Sequence, residues 1–574
     1  MLRRKRSVLV IFSLFIVIVL MASCTQPGVP PEEPMDEVSE PIQLLNPEVV
    51  ADNGIVAAAH PLAAQVGAEI IQQGGNAIDA AVATAFTLGV VEPNASGLGG
   101  GGFMVIRFAD TGETTIIDYR EVAPLAATED MYELDADGKV IDFANSRGYR
   151  AVAVPGQVAG LSLALEKYGT MDLAQVTEKA IHYAENGFEV SEGLSGIITD
   201  NFDKINVYPA TAEIYLKDGL PLEPGDTLIN TDLANSLRLI AEEGPDAFYK
   251  GPLGEAIAAD MAANGGLITR DDFAAYKPAV RKPVSGEYRG YEIVSMSPPS
   301  SGGTHIIQIL NILESLELGK MEHNSAEHIH YMAEAMKRAF ADRGVYMADP
   351  DFADIPLDGL LSKDYAADLL ASIDPEVATE KVSAGDPALY EGASTTHASI
   401  MDKDGNIVSL TQTIECFFGS GVVVPGTGIL LNDQMHDFTV KPGTANSVEP
   451  GKKPLSSMSP TIVLKDGKPF MTIGSPGATR IITAVMQIIS NVIDFDMNIQ
   501  EAIEAPRIHC QGGAIMLEDR ISEDIQAELE KLGHEIDVKG SYDLYFGGAQ
   551  GVMFKDGKLH GGADPRRDGV AVGF

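Results

Sequence analysis

Two alternating runs flank Asp404-Gly405: Ser394-Thr395-Thr396-His397-Ala398-Ser399-Ile400-Met401-Asp402 before it, and Ile407-Val408-Ser409-Leu410-Thr411-Gln412-Thr413 after it. An Asp-Gly pair provides the positive φ angles of a tight turn, and a period of two marks strands, so the stretch predicts a β-hairpin. With the turn at Asp404-Gly405, pairing sets Thr413 opposite residue 395 or 396 and gathers hydroxyls at one strand end. Threonine is a weak nucleophile unless a base adjoins it. The most economical base is its own α-amine, freed by cutting the preceding peptide bond and titrating near pH ~8. Threonine pairs are also ordinary strand residues, and the hairpin alone leaves both readings open.

Residues 1–23 begin Met-Leu-Arg-Arg-Lys-Arg, continue through an apolar run from Val8 to Met21 and end in small residues before Cys24. A basic region, a short apolar region and a small-residue boundary describe an export signal. The apolar run is marginal in length for a membrane span. A cysteine at this boundary resembles a bacterial lipoprotein processing site, so lipidation is expected at Cys24. Residues 24–45, rich in Pro and Glu, are expected to form a disordered tether that holds the body off a membrane. Periplasmic or secreted protein is the alternative to a lipid anchor.

The remaining length and a hydrophobic fraction of 45% suit a globular enzyme-sized body. A net charge of −41 excludes nucleic acid and anionic surfaces as partners. Membrane contact is expected only through the N-terminal lipid or signal. Cys24, Cys416 and Cys510 are the only cysteines, too few for a disulfide framework.

Leu62 to Gln73 and Ala77 to Val91 read as two buried Ala-rich helices separated by Gly74-Gly75. Gly97 to Gly102 formally satisfies a dinucleotide fingerprint, but a helix precedes it and a strand follows, the reverse of what that site requires. The glycines instead mark backbone that approaches something closely. Phe103 to Phe108 and Thr114 to Arg120 form a second hairpin ending at Arg120, either a bidentate clamp for a carboxylate or half of a surface ion pair. Residues 155–350 read as mostly helical, with a loop from Ser297 to Gly303 feeding a helix over Ile306 to Leu313. Asn324 is placed as the next helix cap, with Glu327 three residues on. His323, His328 and His330 match no zinc spacing, and neither metal nor cofactor is expected.

Further on, the segment Asn432 to Phe438 brings amide and acidic groups, among them Gln434 and Asp437, to the end of an apolar run. Pro454-Leu455-Ser456-Ser457-Met458-Ser459-Pro460 leads into a hairpin, and Gly474-Ser475-Pro476-Gly477-Ala478 opens a helix. Backbone N–H groups at such a turn are natural anion donors.

In this order the motifs resemble the gamma-glutamyltransferase (glutathione hydrolase) family of N-terminal-nucleophile hydrolases, over nearly the whole chain after the signal. The carrying residues are Gly97 to Phe103, Asp118-Tyr119-Arg120-Glu121 with Ala123-Pro124, Pro298 to Gly303, Thr395-Thr396-His397, Asn432 to Phe438, Pro454 to Pro460 and Gly474 to Gly477.

The resemblance implies an α+β fold, the four-layer αββα sandwich. It also implies a precursor that cuts itself between Ser394 and Thr395 into a large subunit, residues 46–394, and a small one, residues 395–574. Thr395 would be the nucleophile, supported by Thr413, with the N–H groups of Gly477 and Ala478 holding the oxyanion. Arg120, Ser456 and Ser457 would grip a substrate α-carboxylate, and Gln434 and Asp437 its α-ammonium. Glu415 stands where many members have asparagine and is assigned to the same ammonium. Ala478 replaces a glycine, a harmless change if only its N–H is used. The short segment between Asp437 and Ser456 leaves no room for the lid some members carry. Expected partners are small γ-glutamyl donors such as glutathione and amino acid or peptide acceptors. The alternatives are an amidase for poly-γ-glutamate or glutaryl groups on the same scaffold, and a binding module that has kept the fold.

Overall fold

The structure, a computed structural model, describes residues 44–382 and 394–574. The export signal, Cys24, nearly all of the expected tether and the segment just before Ser394 lie outside the described residues.

Fourteen strands build two antiparallel seven-stranded sheets. They are β1 (Val49–Ala51), β2 (Gly54–Ala58), β3 (Gly101–Arg107), β4 (Thr114–Asp118), β5 (Ala279–Arg281), β6 (Val284–Tyr288) and β7 (Tyr291–Ser295). After these come β8 (Ser394–Asp402), β9 (Ile407–Glu415), β10 (Thr461–Lys465), β11 (Lys468–Gly474), β12 (Gln550–Lys555), β13 (Lys558–Ala563) and β14 (Val570–Gly573). One sheet has the order β1-β13-β12-β11-β10-β7-β6 and the other β14-β2-β8-β9-β3-β4-β5. Both sheets combine strands from before and after Thr395, with β13-β12-β11-β10 forming one block of the first sheet and β8-β9 lying between β2 and β3 in the second.

Side-chain alternation divides the core into layers. Val56, Ala58, Met104, Ile106, Ala398, Ile400, Val408 and Leu410 point from the second sheet toward helices α1 (Pro61–Gln72), α2 (Ala77–Val91) and α3 (Gln157–Tyr168). Their sequence neighbours Ile55, Ala57, Phe103, Val105, Met401 and Ile407 point the other way, into a core shared with Ile462, Met471, Ile473 and Val552 of the first sheet. That core continues to α4 (Gly302–Leu313), α5 (Ala326–Tyr346) and α6 (Arg480–Asp494). The result is helix, sheet, sheet, helix, the expected sandwich.

The opening hairpin forms β8 and β9, with Thr395 paired to Thr413 and a register shift between Ser394 and Thr395. Asp402 closes the turn, accepting from the N–H groups of Asp404 and Asn406 at 3.0 Å each. Two expectations need correction. Residues 279–295, read as helical, are β5 to β7; Arg289 and Gly290 both have positive φ (49° and 82°), the geometry of a tight β6–β7 turn. The cap of α5 is Ser325, whose side chain accepts from the His328 N–H, while Asn324 sits outside the helix at φ 58°.

Candidate active site

Thr395 lies at the start of β8, 3% exposed, with its Oγ 3.2 Å from that of Thr413. Thr413 Oγ also accepts from the Glu415 N–H at 2.9 Å, which fixes it beneath the nucleophile candidate. The glycine loop makes this possible. A Cβ on Gly100 would lie 2.1 Å from the Thr413 carbonyl oxygen, and one on Gly99 would lie 2.1 Å from that of Leu430. Backbone packs directly on backbone here. Asn432 locks the arrangement by donating to the carbonyls of Gly99 (2.7 Å) and Ala153 (2.8 Å) and accepting from the Ala153 N–H (3.0 Å).

Arg120 follows β4 and is 1% exposed. Its guanidinium donates to the carbonyls of Pro454 and Leu455, both at 3.2 Å, and pairs directly with the Asp437 carboxylate. Glu121 stands behind it at 3.6 Å, and burial pushes its carboxyl up to about 7 despite Arg120. Gln434 Nε2 bridges Asp437 (2.6 Å) and Glu415 (3.2 Å). Thus the two groups assigned to opposite ends of a γ-glutamyl zwitterion satisfy each other in the uncut chain.

Ser456 and Ser457 come from a loop held by the start of α4. Ser301 N–H donates to the Ser456 carbonyl at 2.8 Å, and the Ser456 N–H donates to Pro299 at 3.0 Å. Gly477 and Ala478 turn into α6, and Ala478 adopts φ 51°. A side chain in this left-handed region costs about 1 kcal/mol, so the alanine is less innocuous than expected. Arg120, Thr395, Thr413, Glu415, Asp437, Ser456, Ser457 and Ala478 line one pocket.

Four contributors escaped the sequence reading. Arg567 donates to the Thr395 carbonyl at 2.9 Å and to Glu92 at 2.8 Å. Arg343 on α5 donates to Ser457 Oγ (2.9 Å) and Ser301 Oγ (2.8 Å) and lines the pocket. His436 places Nδ1 3.7 Å from Glu415, and Cys416 follows Glu415 directly. Burial and the nearby Asp437 push the Glu415 carboxyl up. Burial disfavours the His436 imidazolium, but hydrogen bonding and charge from Glu415 more than reverse this, to about 9. The pair therefore retains a proton at neutral pH.

Elsewhere, Cys416 and Cys510 are both free. His323 bonds Asn491, His328 accepts from the Asn324 N–H and His330 pairs with His534, while the His323 and His328 rings both pack against Phe495.

The family model described as gamma-glutamyltranspeptidase matches residues 63–574. The glutathione hydrolase proenzyme of Escherichia coli (strain K12) is 45% identical over 97% of this chain and 98% of its own length. The acylase ACY 1 proenzyme of Pseudomonas sp. (strain SE83) is 46% identical over 90% of this chain and 93% of its own. Among solved structures, cephalosporin acylase from Bacillus halodurans superposes with a TM-score of 0.84 at 31% identity, covering 94% of this chain and 99% of that one.

Proposed function

The chain belongs to the gamma-glutamyltranspeptidase family, and from that premise we propose that it is a self-processing γ-glutamyl hydrolase and transpeptidase acting on glutathione and related amides. The precursor cuts the Ser394–Thr395 bond, and the freed α-amine of Thr395 becomes the base for its own hydroxyl. Thr395 Oγ attacks the γ-glutamyl carbonyl as its proton passes to the amine. The N–H groups of Gly477 and Ala478 receive the oxyanion. The protonated amine returns its proton to the departing amine, leaving a γ-glutamyl ester on Thr395. Water or an amino acid or peptide amine then attacks the ester, restoring the threonine.

The observation that carries this reading is the Arg120–Asp437 pair set beside the Thr395–Thr413 hydroxyl pair. A γ-glutamyl headgroup carries one carboxylate and one ammonium, and on entering it exchanges one internal ion pair for two. Arg120 with Ser456 and Ser457 takes the carboxylate; Asp437, Gln434 and Glu415 take the ammonium. An acyl group without an ammonium would leave Asp437 uncompensated, which disfavours the acylase alternative.

Release of a chromogenic amine from a γ-glutamyl anilide tests this, with a glutaryl anilide as comparison. Cleavage of the γ-glutamyl compound, accelerated by a dipeptide acceptor and at least about 100-fold faster than the glutaryl one, is expected from loss of a charged contact worth about 3 kcal/mol. Equal rates would favour the acylase reading. Export and lipid attachment at Cys24 belong to the same proposal and rest on residues 1–24 alone.

A further inference from the structure

Glu415, Cys416 and His436 form a cluster that the reaction does not use in full. His436 Nδ1 lies 3.7 Å from Glu415 Oε1 and 3.9 Å from Cys416 Sγ, and one ligand atom from each residue lies within 4.8 Å of the other two. Thiol and carboxylate approach the same ring nitrogen. An acid–imidazole–thiol relay would instead use the two opposite nitrogens, as serine and cysteine hydrolases do. Three donors converging on one point describe a ligand set. For metal–ligand bonds of roughly 2.0–2.3 Å, the edges of a tetrahedron are about 3.3–3.7 Å, so the two spacings from His436 Nδ1 need only a few tenths of an ångström of adjustment, while the Glu415–Cys416 edge, held within 4.8 Å, must close to the same range on binding.

Charge and access favour a cation here. Asp433 is fully buried; its Oδ1 accepts from the Cys416 N–H at 2.9 Å, while its Oδ2 has no hydrogen-bond partner among the described residues. Asp437 adds a further carboxylate. Of the neighbouring cations, Lys204 is committed to the carbonyls of Phe417 (3.0 Å) and Gly419 (2.8 Å), and Arg120 to Asp437. Cys416 and His436 are both partly exposed, and His436 and Glu415 line the pocket onto which Thr395 opens. Among the described residues the other group with ligand spacing, His330, Glu334 and His534, lacks this character because Lys337 and Arg338 already occupy Glu334.

We propose that Glu415, Cys416 and His436 bind a thiophilic divalent cation of the Zn²⁺ class, with the fourth position open to the pocket. The ion is an inhibitory ligand rather than a cofactor. It holds the place of the substrate ammonium, so it competes with γ-glutamyl donors; this last consequence rests on the function proposed above. Binding releases the thiol proton of Cys416 and the proton held between Glu415 and His436, and the resulting thiolate, imidazole and carboxylate are a donor set that a borderline-soft ion prefers to Mg²⁺ or Ca²⁺.

The test titrates metal-free full-length Thr395→Ala protein with Zn²⁺ by calorimetry, so that binding is read without activity. One equivalent should bind, with affinity lowered at least tenfold in Cys416→Ser and again in His436→Asn, and with no comparable heat from Mg²⁺. Thermal unfolding of the metal-free variants shows whether they remain folded. Affinity unchanged in both folded variants overturns the site. In the active protein, Zn²⁺ should raise KM for a γ-glutamyl anilide and leave kcat unchanged. Binding without any rise in KM overturns the overlap with the ammonium position. A metal-free protein that binds Zn²⁺ but cleaves no γ-glutamyl anilide strikes the proposed reaction and upholds the site.

Discussion

Arg120 is buried with Asp437 on one side and Glu121 on the other, and its planar fork also meets two carbonyls. A lysine ammonium is a point charge that cannot serve these directions at once. Arg120→Lys should therefore raise KM for a γ-glutamyl anilide at least tenfold, about 1.4 kcal/mol, while processing at Thr395 continues. An unchanged KM would make Arg120 a purely structural residue. Strand alternation and the Asp-Gly turn placed Thr413 opposite residue 395 or 396, the resemblance singled out Thr395, and the pairing observed is Thr395 with Thr413. Arg567 was not readable in advance, since its contact with the Thr395 carbonyl crosses 172 residues of sequence and no local pattern encodes it. Arg343 and His436 escaped for the same reason: each gains its meaning from a partner on another element.

At the scale of elements, the β8–β9 hairpin and the glycine loop form one unit. Gly100→Ala drives a Cβ into the Thr413 carbonyl, so the end of β9 must move and Thr413 with it. Uncut precursor should then accumulate, read as the ratio of bands on a denaturing gel, and processing as complete as in the unaltered chain would remove the loop from the account. The two sheets carry a second expectation. Segments before and after Thr395 meet at β1–β13 and β7–β10 in the first sheet and at β14–β2, β2–β8 and β3–β9 in the second. The products of cleavage should stay together through gel filtration in 1 M salt, because shared ladders and a common core are little affected by screening; separation into two peaks would contradict this. The helices over 61–91 and the hairpins were legible from period and turn residues. β5 to β7 were missed because they are short and lie among helices. The alternation Val284, Gly286, Tyr288 around Arg289-Gly290 was the available signal.

Across the whole molecule, buried imidazoles set the response to acid. Burial lowers His305, His328 and His397 to about 3 and His60 and His534 to about 4. A depressed folded pKa confers stability that is complete above the unfolded value near ~6.5 and is lost as pH falls toward the folded value. All five shifts act in the same direction, so the cost of protonating the buried imidazoles grows as pH falls below ~6.5. The thermal midpoint should fall steeply between pH 6.5 and 5; a flat profile would mean these groups are solvated. The layered sandwich was accessible from the sequence only through resemblance, because period and turns give elements but not their stacking. Lipid attachment is read by mass spectrometry of the N-terminal peptide, where a diacylglyceryl group on Cys24 is expected and an unmodified peptide beginning elsewhere would argue for release. The central claim is that Thr395 is both the product of cleavage and the nucleophile. Intact mass and N-terminal sequencing of the purified protein under denaturing conditions test it most directly. The account predicts two chains, the smaller running from Thr395 to Phe574, and a single inactive chain for Thr395→Ala. Two chains from Thr395→Ala, or a smaller chain beginning at another residue, would contradict it.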